Sequence, residues 1–358
     1  MKQKTKNTIW RAVVSALILL ALFVGITAAA TYVCRPYNSK ADKVQKNLYS
    51  EDTDMEQTEV ALIGGSHASN GFHPLVMWRD AGLKAYNFSF SGQPIYMSYY
   101  YLQELFKKRD FQVVVLDLYY IGMQSEYFAK DSYVYEVMSN TKWTKEKWDI
   151  VQRNVAPEKR RRYYFPLDTY HTRWTELTKQ DILRQPNLEN DFWLGADFHF
   201  DRNAGEEVHF EPWGNTGEVA KMPEKSEEYL RKIIELVQAN DCELLLVVLP
   251  HRYNDASPPD QWVADEYAIY NHAKEIAAEY DLSLIQFDDG VQEKIGFVPE
   301  KDMYNNGHMN VYGAEKVGSY LADYIINIFD VAQHPRGTGD LWDTYLAEYE
   351  TVYEQHKQ

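Results

Sequence analysis

The sequence of 358 residues contains only two cysteines, Cys34 and Cys242. We expect no disulfide between them, and neither they nor the histidines show the spacing of a metal site such as H-E-x-x-H. Basic residues are also few relative to acids, at 37 Lys and Arg against 53 Asp and Glu. Nucleic-acid binding needs clustered positive charge, so this composition argues against a nucleic-acid partner. We therefore expect no metal, no cofactor and no nucleic acid.

Acidic residues are missing from the first eleven positions, which carry a charge of +4 from Lys2, Lys4, Lys6 and Arg11. The net charge of the chain is −16, so the remaining residues carry −20. Between these parts lies 12–33, an uncharged apolar run long enough to span a bilayer as a helix. The basic flank predicts a cytoplasmic N-terminus and an exported body. A cleaved signal peptide, giving a secreted protein, is the alternative, but the run exceeds the usual signal core, which favours a retained single-pass anchor in membrane lipid.

Apolar runs alternate with helical patterns beyond the anchor, and low-complexity runs and internal repeats are missing. We interpret the chain as a cytoplasmic tip (1–11), a transmembrane anchor (12–33), a polar stalk (34–58), an α/β domain (59–330) and a helical tail (331–358). The predicted strands are 60–64, 85–90, 111–120, 242–250 and 282–287, and the predicted helices are 72–83, 94–108, 224–240, 261–280 and 311–329. This alternation predicts a three-layer, doubly wound parallel sheet of flavodoxin-like type.

The segment 121–223 breaks the alternation and is rich in tryptophan and histidine. We interpret it as a helical or irregular insertion over the carboxyl ends of the strands, where the loops of such sheets carry function. The alternative is a helical subdomain whose aromatic residues fill a core of its own. His171, Arg173 and Trp174 are our candidates within this segment for contacts with substrate.

Two loops contain the residue types of a serine nucleophile and its base. Ser66 follows Gly64 and Gly65 at the end of the first predicted strand, and His308 precedes the last helix of the domain. Since the carboxyl ends of parallel strands meet at one edge of a sheet, we expect the two side chains to approach each other there. The alternatives are an ordinary turn at Ser66 and a helix cap at His308.

These loops, together with an Asn-Phe-Ser-Phe-Ser-Gly sequence that ends at Gly92, resemble the SGNH (GDSL-like) hydrolase superfamily over 60–120 and 224–329. The resemblance implies that Ser66 is the nucleophile, His308 the base and Gly92 the donor of an N–H to the oxyanion. The arrangement also looks like the membrane-anchored branch that includes the D-alanyl transfer protein and the alginate O-acetylation proteins. Those proteins work beside a membrane-bound O-acyltransferase, which is therefore the implied partner.

Three positions depart from the family pattern. The Gly-Asp-Ser signature reads Gly-Gly-Ser, and no Asn follows the third strand, so one oxyanion donor is missing. Asn70 or Gln93 could replace that donor. The family's acid stands three residues before the histidine, and this position is Asn305, an amide. We therefore expect Asp302 to orient His308, with a Ser–His dyad as the fallback.

The resemblance implies an extracytoplasmic serine esterase or O-acyltransferase that acts on cell-envelope or exported polysaccharide through an acyl-Ser66 intermediate. Aromatic faces in the insertion would stack on sugar rings and exclude water, which favours transfer over hydrolysis. A degenerate SGNH-like protein that binds glycan or an acyltransferase is the alternative. An α/β-hydrolase is a further alternative, because 64–68 nearly match G-x-S-x-G, although that nucleophile usually follows several strands.

Overall fold

The computed structural model describes residues 2–37, 39–49, 54–128, 131–139, 141–184, 193–201, 215–251, 262–263, 265–288, 290–305 and 307–356. Contacts within the chain divide it into two compact units. The first unit comprises Met1–Asp42 and Ala156–Pro186, and the second comprises Lys43–Val155 and Asn187–Gln358. Parts of the predicted insertion, 185–192 and 202–214, lie outside the described residues.

The α-helices are α1 (Lys2–Cys34), α2 (Ser39–Tyr49), α3 (Ser66–Gly71), α4 (Pro74–Ala81), α5 (Ile95–Phe106), α6 (Asp131–Ser139), α7 (Lys145–Asn154), α8 (Arg160–Tyr164), α9 (Leu167–Tyr170), α10 (Lys179–Leu183), α11 (Glu224–Gln238), α12 (Glu266–Glu279), α13 (Val291–Lys294), α14 (Pro299–Asp302), α15 (Val311–Ile328) and α16 (Leu341–His356). Short 3-10 helices cover Asp54–Gln57, Tyr119–Gly122, Pro157–Lys159 and His171–Thr175. The strands are β1 (Val60–Ile63), β2 (Ala85–Asn87), β3 (Val113–Asp117), β4 (Glu243–Val248), β5 (Leu284–Gln286), β6 (Met303–Asn305) and β7 (His308–Met309).

A parallel sheet of five strands forms the centre of the second unit, in the order β2-β1-β3-β4-β5. Val60 of β1 pairs with Ala85 on one side and with Val113 on the other. Every predicted strand is present and is one to five residues shorter than its apolar run. The α/β class with a parallel sheet is therefore confirmed. The chain runs from β1 to β2 on one side and then returns to β3 on the other side of β1. Where the strand order reverses in this way, a crevice opens at the carboxyl ends of the two strands, here β1 and β3.

The apolar strands are continuous runs because both of their faces are buried. Alternate residues such as Leu62 and Val115 belong to a core cluster that includes Met77 of α4 and Leu321 of α15. The intervening residues, such as Ile63, are equally inaccessible. Burial of each such side chain contributes roughly 1.5–3 kcal/mol, so the sheet is a rigid base for the loops at its edge.

The first unit contains α1, which is long and apolar enough to cross a membrane. Its apolar side chains are exposed, as at Leu19 and Phe23. The direction of the chain across a membrane stays a prediction. Residues 156–186 belong to this unit, whereas we predicted a single insertion over 121–223; α9 and α10 contact α1.

Candidate active site

Ser66 stands at the crevice between β1 and β3. It is the first residue of α3 and follows β1 after two glycines. Its side chain is half-buried, and it lines an open pocket with a volume of about 380 Å³. A serine at the start of a helix has backbone N–H groups beside its hydroxyl, which is the arrangement that an oxyanion requires.

Gly65 allows a tyrosine to lie against the turn that carries Ser66. A Cβ atom at Gly65 would lie 2.2 Å from the ring of Tyr120, too close for any side chain. Tyr120 follows β3, and its ring packs against Phe128 and Trp262 with centroid distances of 5.8 and 5.3 Å. The ring is therefore held in place, and only glycine fits beneath it.

Asn87, at the end of β2, fixes the same turn from the other side. Its buried amide donates to the carbonyl oxygens of Ala68 and Phe72 at 2.9 and 3.2 Å, and its Oδ1 accepts from the backbone N–H of Ser89 at 3.0 Å. One side chain thus joins α3 to the loop that leads to Gly92. Gly92 has φ of 62°, a left-handed conformation that favours glycine. Gly92 also lines the pocket.

His308 reaches Ser66 from the hairpin of β6 and β7. The distance between His308 Nε2 and Ser66 Oγ is 2.8 Å, which is within hydrogen-bond reach for proton transfer. Asn310, the N-cap of α15, fixes this hairpin because its amide donates to the carbonyl oxygen of Lys301 at 2.8 Å. The structure therefore brings together the serine and the histidine that we selected from the sequence.

Asn305 orients the imidazole. Its Oδ1 lies 3.0 Å from His308 Nδ1 and accepts from the backbone N–H of Gly307 at 2.9 Å. Since the backbone N–H can only donate, the amide must present its oxygen, and His308 Nδ1 must carry the hydrogen. His308 Nε2 is then the acceptor for the Ser66 hydroxyl. The amide thus selects the tautomer of a general base.

Our expectation that Asp302 orients His308 is wrong. The carboxylate of Asp302 accepts from the backbone N–H of Val298 and from Lys316 Nζ, both at 2.6 Å. These partners turn the buried side chain back over α14 and towards α15. Asp302 therefore holds the loop that carries His308, and Asn305 occupies the place that we gave to the acid.

Positive and buried surroundings keep His308 neutral. Burial, with smaller contributions from His199 and His251, lowers the pKa of His308 to about 4. Burial opposes the charge of His251 as well, but Glu266, whose carboxylate is 3.0 Å from its Nε2, raises the pKa of His251 to about 9. At neutral pH the base is therefore unprotonated beside a cationic histidine.

Aromatic side chains form much of the pocket. It is lined by Ser66, Asn70, Ser91, Gly92, Tyr120, Tyr133, Trp193, Asp197, Phe198, His199, Tyr304 and His308. Those between 193 and 199 come from the predicted insertion, and the backbone N–H of Asp197 fixes that segment by donating to the Ser69 carbonyl oxygen at 2.8 Å. His199 stacks on Tyr304 with ring centroids 4.0 Å apart. The stacked rings of His199 and Tyr304 thus lie next to His308.

The two predicted substitutes for the missing oxyanion donor differ in position. Asn70 lines the pocket, and its amide donates to the Ser66 carbonyl oxygen at 2.7 Å. Gln93 is buried, accepts from the backbone N–H of Phe90 and donates to Ser98 Oγ, both at 3.1 Å. Gln93 therefore joins the loop to α5 and is not among the residues that line the pocket, and its contact with an oxyanion stays a prediction.

His171, Arg173 and Trp174 belong to the first unit, whereas every residue that lines the pocket belongs to the second. Arg173 donates to the Cys34 carbonyl oxygen at 2.8 Å and pairs with Asp181. His171 contacts the backbone of Asp168, and Trp174 is 70% exposed. The contacts of these residues give them a role in their own unit, and their role in substrate binding stays a prediction.

Tyr120 is the site residue that sequence reasoning missed. It lines the pocket with Ser66 and Gly92. Its hydroxyl oxygen accepts a hydrogen bond from the backbone N–H of Gly92. Burial raises the pKa of Tyr120, and that N–H offsets the rise only partly, so the hydroxyl keeps its proton and remains a donor. Its position just after β3 is the signal that the sequence offers, but the family pattern there calls for asparagine and not for tyrosine.

The second unit is thus defined as a parallel α/β protein with a Ser-His-Asn arrangement at the carboxyl edge of its sheet. Among the described residues, no group of His, Cys, Asp or Glu side chains could hold a metal ion. Comparison with known proteins finds no family model that matches the chain and no curated protein that matches it significantly.

Proposed function

We propose that this chain is a serine esterase or O-acyltransferase of SGNH type that works through an acyl-Ser66 intermediate. The observation that carries the proposal is the contact of 2.8 Å between Ser66 Oγ and His308 Nε2, with Asn305 at the other ring nitrogen. The sheet order and the buried faces of its strands support the three-layer SGNH fold as part of the same proposal.

Acylation begins when His308 Nε2 takes the proton of Ser66 Oγ as that oxygen attacks the carbonyl carbon of an ester. The tetrahedral intermediate expels the alcohol oxygen, which takes the proton back from His308. Water or a sugar hydroxyl then gives its proton to His308 and attacks the acyl-Ser66 carbonyl carbon. The bond between the acyl carbon and Ser66 Oγ breaks, the acyl group leaves on the sugar hydroxyl or as the free acid, and Ser66 Oγ takes the proton back from His308.

The negative charge on the carbonyl oxygen needs donors that are fixed before the reaction. The resemblance implies the backbone N–H of Gly92, which in the structure donates to the Tyr120 hydroxyl, and the backbone N–H of Ser66 at the start of α3 is a direct donor. We assign the next donor to the hydroxyl of Tyr120, because this residue lines the same pocket and its hydroxyl stays protonated. Tyr120 then takes the part of the asparagine that is missing after β3, and one donor of this kind contributes on the order of 100-fold in rate.

The lining of the pocket favours a carbohydrate as acceptor or substrate. Trp193, Phe198 and Tyr304 offer aromatic faces beside the Ser66 hydroxyl, and such faces stack on sugar rings. The apolar α1 supports a membrane location, with the body outside the cytoplasm. A cell-envelope polysaccharide and a membrane-bound O-acyltransferase are the partners that suit this location.

Labelling with a fluorophosphonate tests the nucleophile, because the probe reacts with a serine only where a base activates it. We expect one equivalent of label, located on Ser66 by mass spectrometry, and none after Ser66→Ala or His308→Ala. Ser91→Ala is the matched control, since Ser91 lies in the same pocket without a histidine contact and its loss should leave one equivalent at the end point.

Absence of label from the folded wild-type protein would reject the enzyme and favour a glycan-binding protein. Once label is found, transfer and hydrolysis are separated with p-nitrophenyl acetate and an added oligosaccharide. Acetylated oligosaccharide indicates transfer, and acetate alone indicates hydrolysis.

A further inference from the structure

Residues 156–184, here called the collar, are fastened to the C-terminal end of α1. Arg184 donates to the carbonyl oxygens of Tyr32 and Pro36 at 2.7 and 3.0 Å, and also to that of Arg35. Arg173 donates to the carbonyl oxygen of Cys34 at 2.8 Å. The last carbonyl groups of a helix lack partners within the helix, and two guanidinium groups satisfy them here. The level of the collar along α1 is therefore fixed.

That level coincides with the surface of a bilayer that α1 would cross. From Arg11, the last charge before the apolar run, to Cys34, the helix rises about 34 Å at 1.5 Å per residue. The hydrocarbon core of a bilayer is about 30 Å thick, so the carbonyl groups held by the collar would lie at its outer boundary. The collar would then lie among the lipid headgroups.

The collar exposes large apolar side chains at this level. Trp174 is 70% exposed, Ile182 55%, Phe165 53% and Leu183 46%. Exposure of large apolar side chains to water is unfavourable, and tryptophan is typical of membrane interfaces. A lipid surface would cover all four of them.

The charge of the collar is opposite to that of the rest of the chain. It contains seven Lys and Arg residues and four Asp and Glu residues, a net +3, whereas the chain as a whole carries −16. Four of the basic residues are consecutive, from Lys159 to Arg162. A local positive charge beside exposed aromatic residues complements anionic headgroups, which would repel an acidic surface.

We propose that the collar is a second membrane contact, which lies in the headgroup region of an anionic leaflet and inserts Trp174 and Phe165 into it. The inference rests on the proposed crossing of the membrane by α1 and is independent of any catalysis by Ser66. Its effect would be to fix the depth of the C-terminal end of α1 at the surface of the bilayer.

The experiment uses the full chain in vesicles of phosphatidylcholine and phosphatidylglycerol. The buried thiols Cys34 and Cys242 are replaced by alanine, and a spin label is attached at Trp174→Cys or, as the control, at Trp148→Cys. Trp148 is 50% exposed and belongs to the second unit. We expect the label at 174 to collide with oxygen and to lose access to a water-soluble nickel chelate, whereas the label at 148 remains open to the chelate.

A second pair of variants tests the charge without touching the aromatic residues. Arg161→Glu reverses a charge on the collar, and Arg153→Glu reverses one in the second unit; the two side chains are 74% and 64% exposed. We expect only Arg161→Glu to restore access of the chelate to the label at 174. Vesicles of phosphatidylcholine alone should have the same effect.

Three results would overturn the proposal. The first is equal access of the chelate to both labels, and the second is release of the chain from the vesicles by alkaline carbonate. The third is shielding of the label at 174 from both oxygen and the chelate, because this indicates contact with protein. Labelling of Ser66 by the phosphonate is measured separately, so failure of the collar and failure of the enzyme are distinguishable.

Discussion

Replacing Asn305 by aspartate should raise the pKa of His308 and speed the reaction. In the wild type the pKa of His308 is about 4, since burial and the neighbouring histidines oppose the imidazolium and Asn305 supplies no charge. The carboxylate of Asn305→Asp would take the place of Oδ1, 3.0 Å from Nδ1, and could keep the N–H of Gly307 as a donor. The change adds one negative charge and leaves the tautomer as it is.

The size of the effect follows from the contact. An opposite charge at this distance raises the pKa of a histidine by about 1–3 units, and each unit corresponds to about 1.4 kcal/mol. Asn305 is half-buried, so solvent screens part of the charge, and we expect about 1–2 units. The same charge stabilises the imidazolium that forms during attack, so the rate at pH 7 should rise by about tenfold.

The assay is the rate constant for phosphonate labelling, and kcat/KM for p-nitrophenyl acetate, from pH 4 to pH 9. Only neutral His308 is a base, so activity falls as the pH drops through its pKa. We expect this acid limb near pH 4 in the wild type and at about pH 5–6 in Asn305→Asp. Asp302→Asn is the matched control and should leave the limb unchanged, because Asp302 contacts Val298 and Lys316.

An acid limb that does not move in Asn305→Asp would refute the contact between residue 305 and His308. A limb that moves in Asp302→Asn would restore Asp302 as the orienting residue. Asn305→Ala gives a third test, because it removes the acceptor that fixes the tautomer. Loss of the correct tautomer costs up to about 10⁴-fold in a serine triad, so this variant should be much slower than Asn305→Asp and Asp302→Asn.

Three further predictions concern the neighbours of the nucleophile. Tyr120→Phe should lower kcat by about 100-fold with little change in KM, because it removes one oxyanion donor; an unchanged kcat would reject that role. Gly65→Asp should destabilise the protein by about 1–3 kcal/mol, because the new side chain overlaps the Tyr120 ring. Adding Tyr120→Asn should restore part of this stability, and a double-mutant cycle measured by thermal unfolding tests it. Burial raises the pKa of Asp117 to about 7, so the native state holds this proton more tightly than the unfolded chain does. The free energy of unfolding should therefore fall as the pH rises from 4 to 7. Asp117→Asn should remove up to about 3 kcal/mol of this pH dependence between pH 5 and pH 8, measured by chemical denaturation at the two pH values, and an equal change in both proteins would contradict it.

The sheet and the pairing of Ser66 with His308 could be predicted because both follow from short-range signals. An apolar run identifies a buried strand, and parallel strands place their carboxyl ends at one edge. The predicted helix 311–329 and the observed Val311–Ile328 agree to within a residue at each end. No long-range information was needed for these features.

The orienting residue could not be predicted, because it depends on a side-chain direction. Asp302 is a carboxylate and is close in sequence to His308, but Val298 and Lys316 bind it on the far side of the loop. Asn305 reaches the imidazole because it faces His308 across the β6–β7 hairpin. The pairing in that hairpin, and not the charge of the residue, decides which side chain touches Nδ1.

The division of 121–223 between the two units could not be predicted either, because the segment has no periodicity that separates its parts. Residues 156–184 contact α1 through arginines that bind backbone carbonyl groups. Such contacts leave no hydrophobic pattern in the sequence. Residues 193–199 instead line the pocket, and their aromatic side chains were the only visible signal.

Two of the departures from the family pattern are one feature in the structure. The Gly-Asp-Ser signature reads Gly-Gly-Ser, and the third strand is followed by tyrosines and by no asparagine. Any Cβ atom at Gly65 would lie 2.2 Å from the Tyr120 ring, so the tyrosine requires the glycine. The glycine in turn lets the Tyr120 hydroxyl lie beside Gly92 in the pocket. In the proposed mechanism, a larger side chain three residues after β3 replaces the missing donor, and the space for it comes from Gly65, the residue before Ser66. The changes that suggested a degenerate site are therefore consistent with one that has kept its donors.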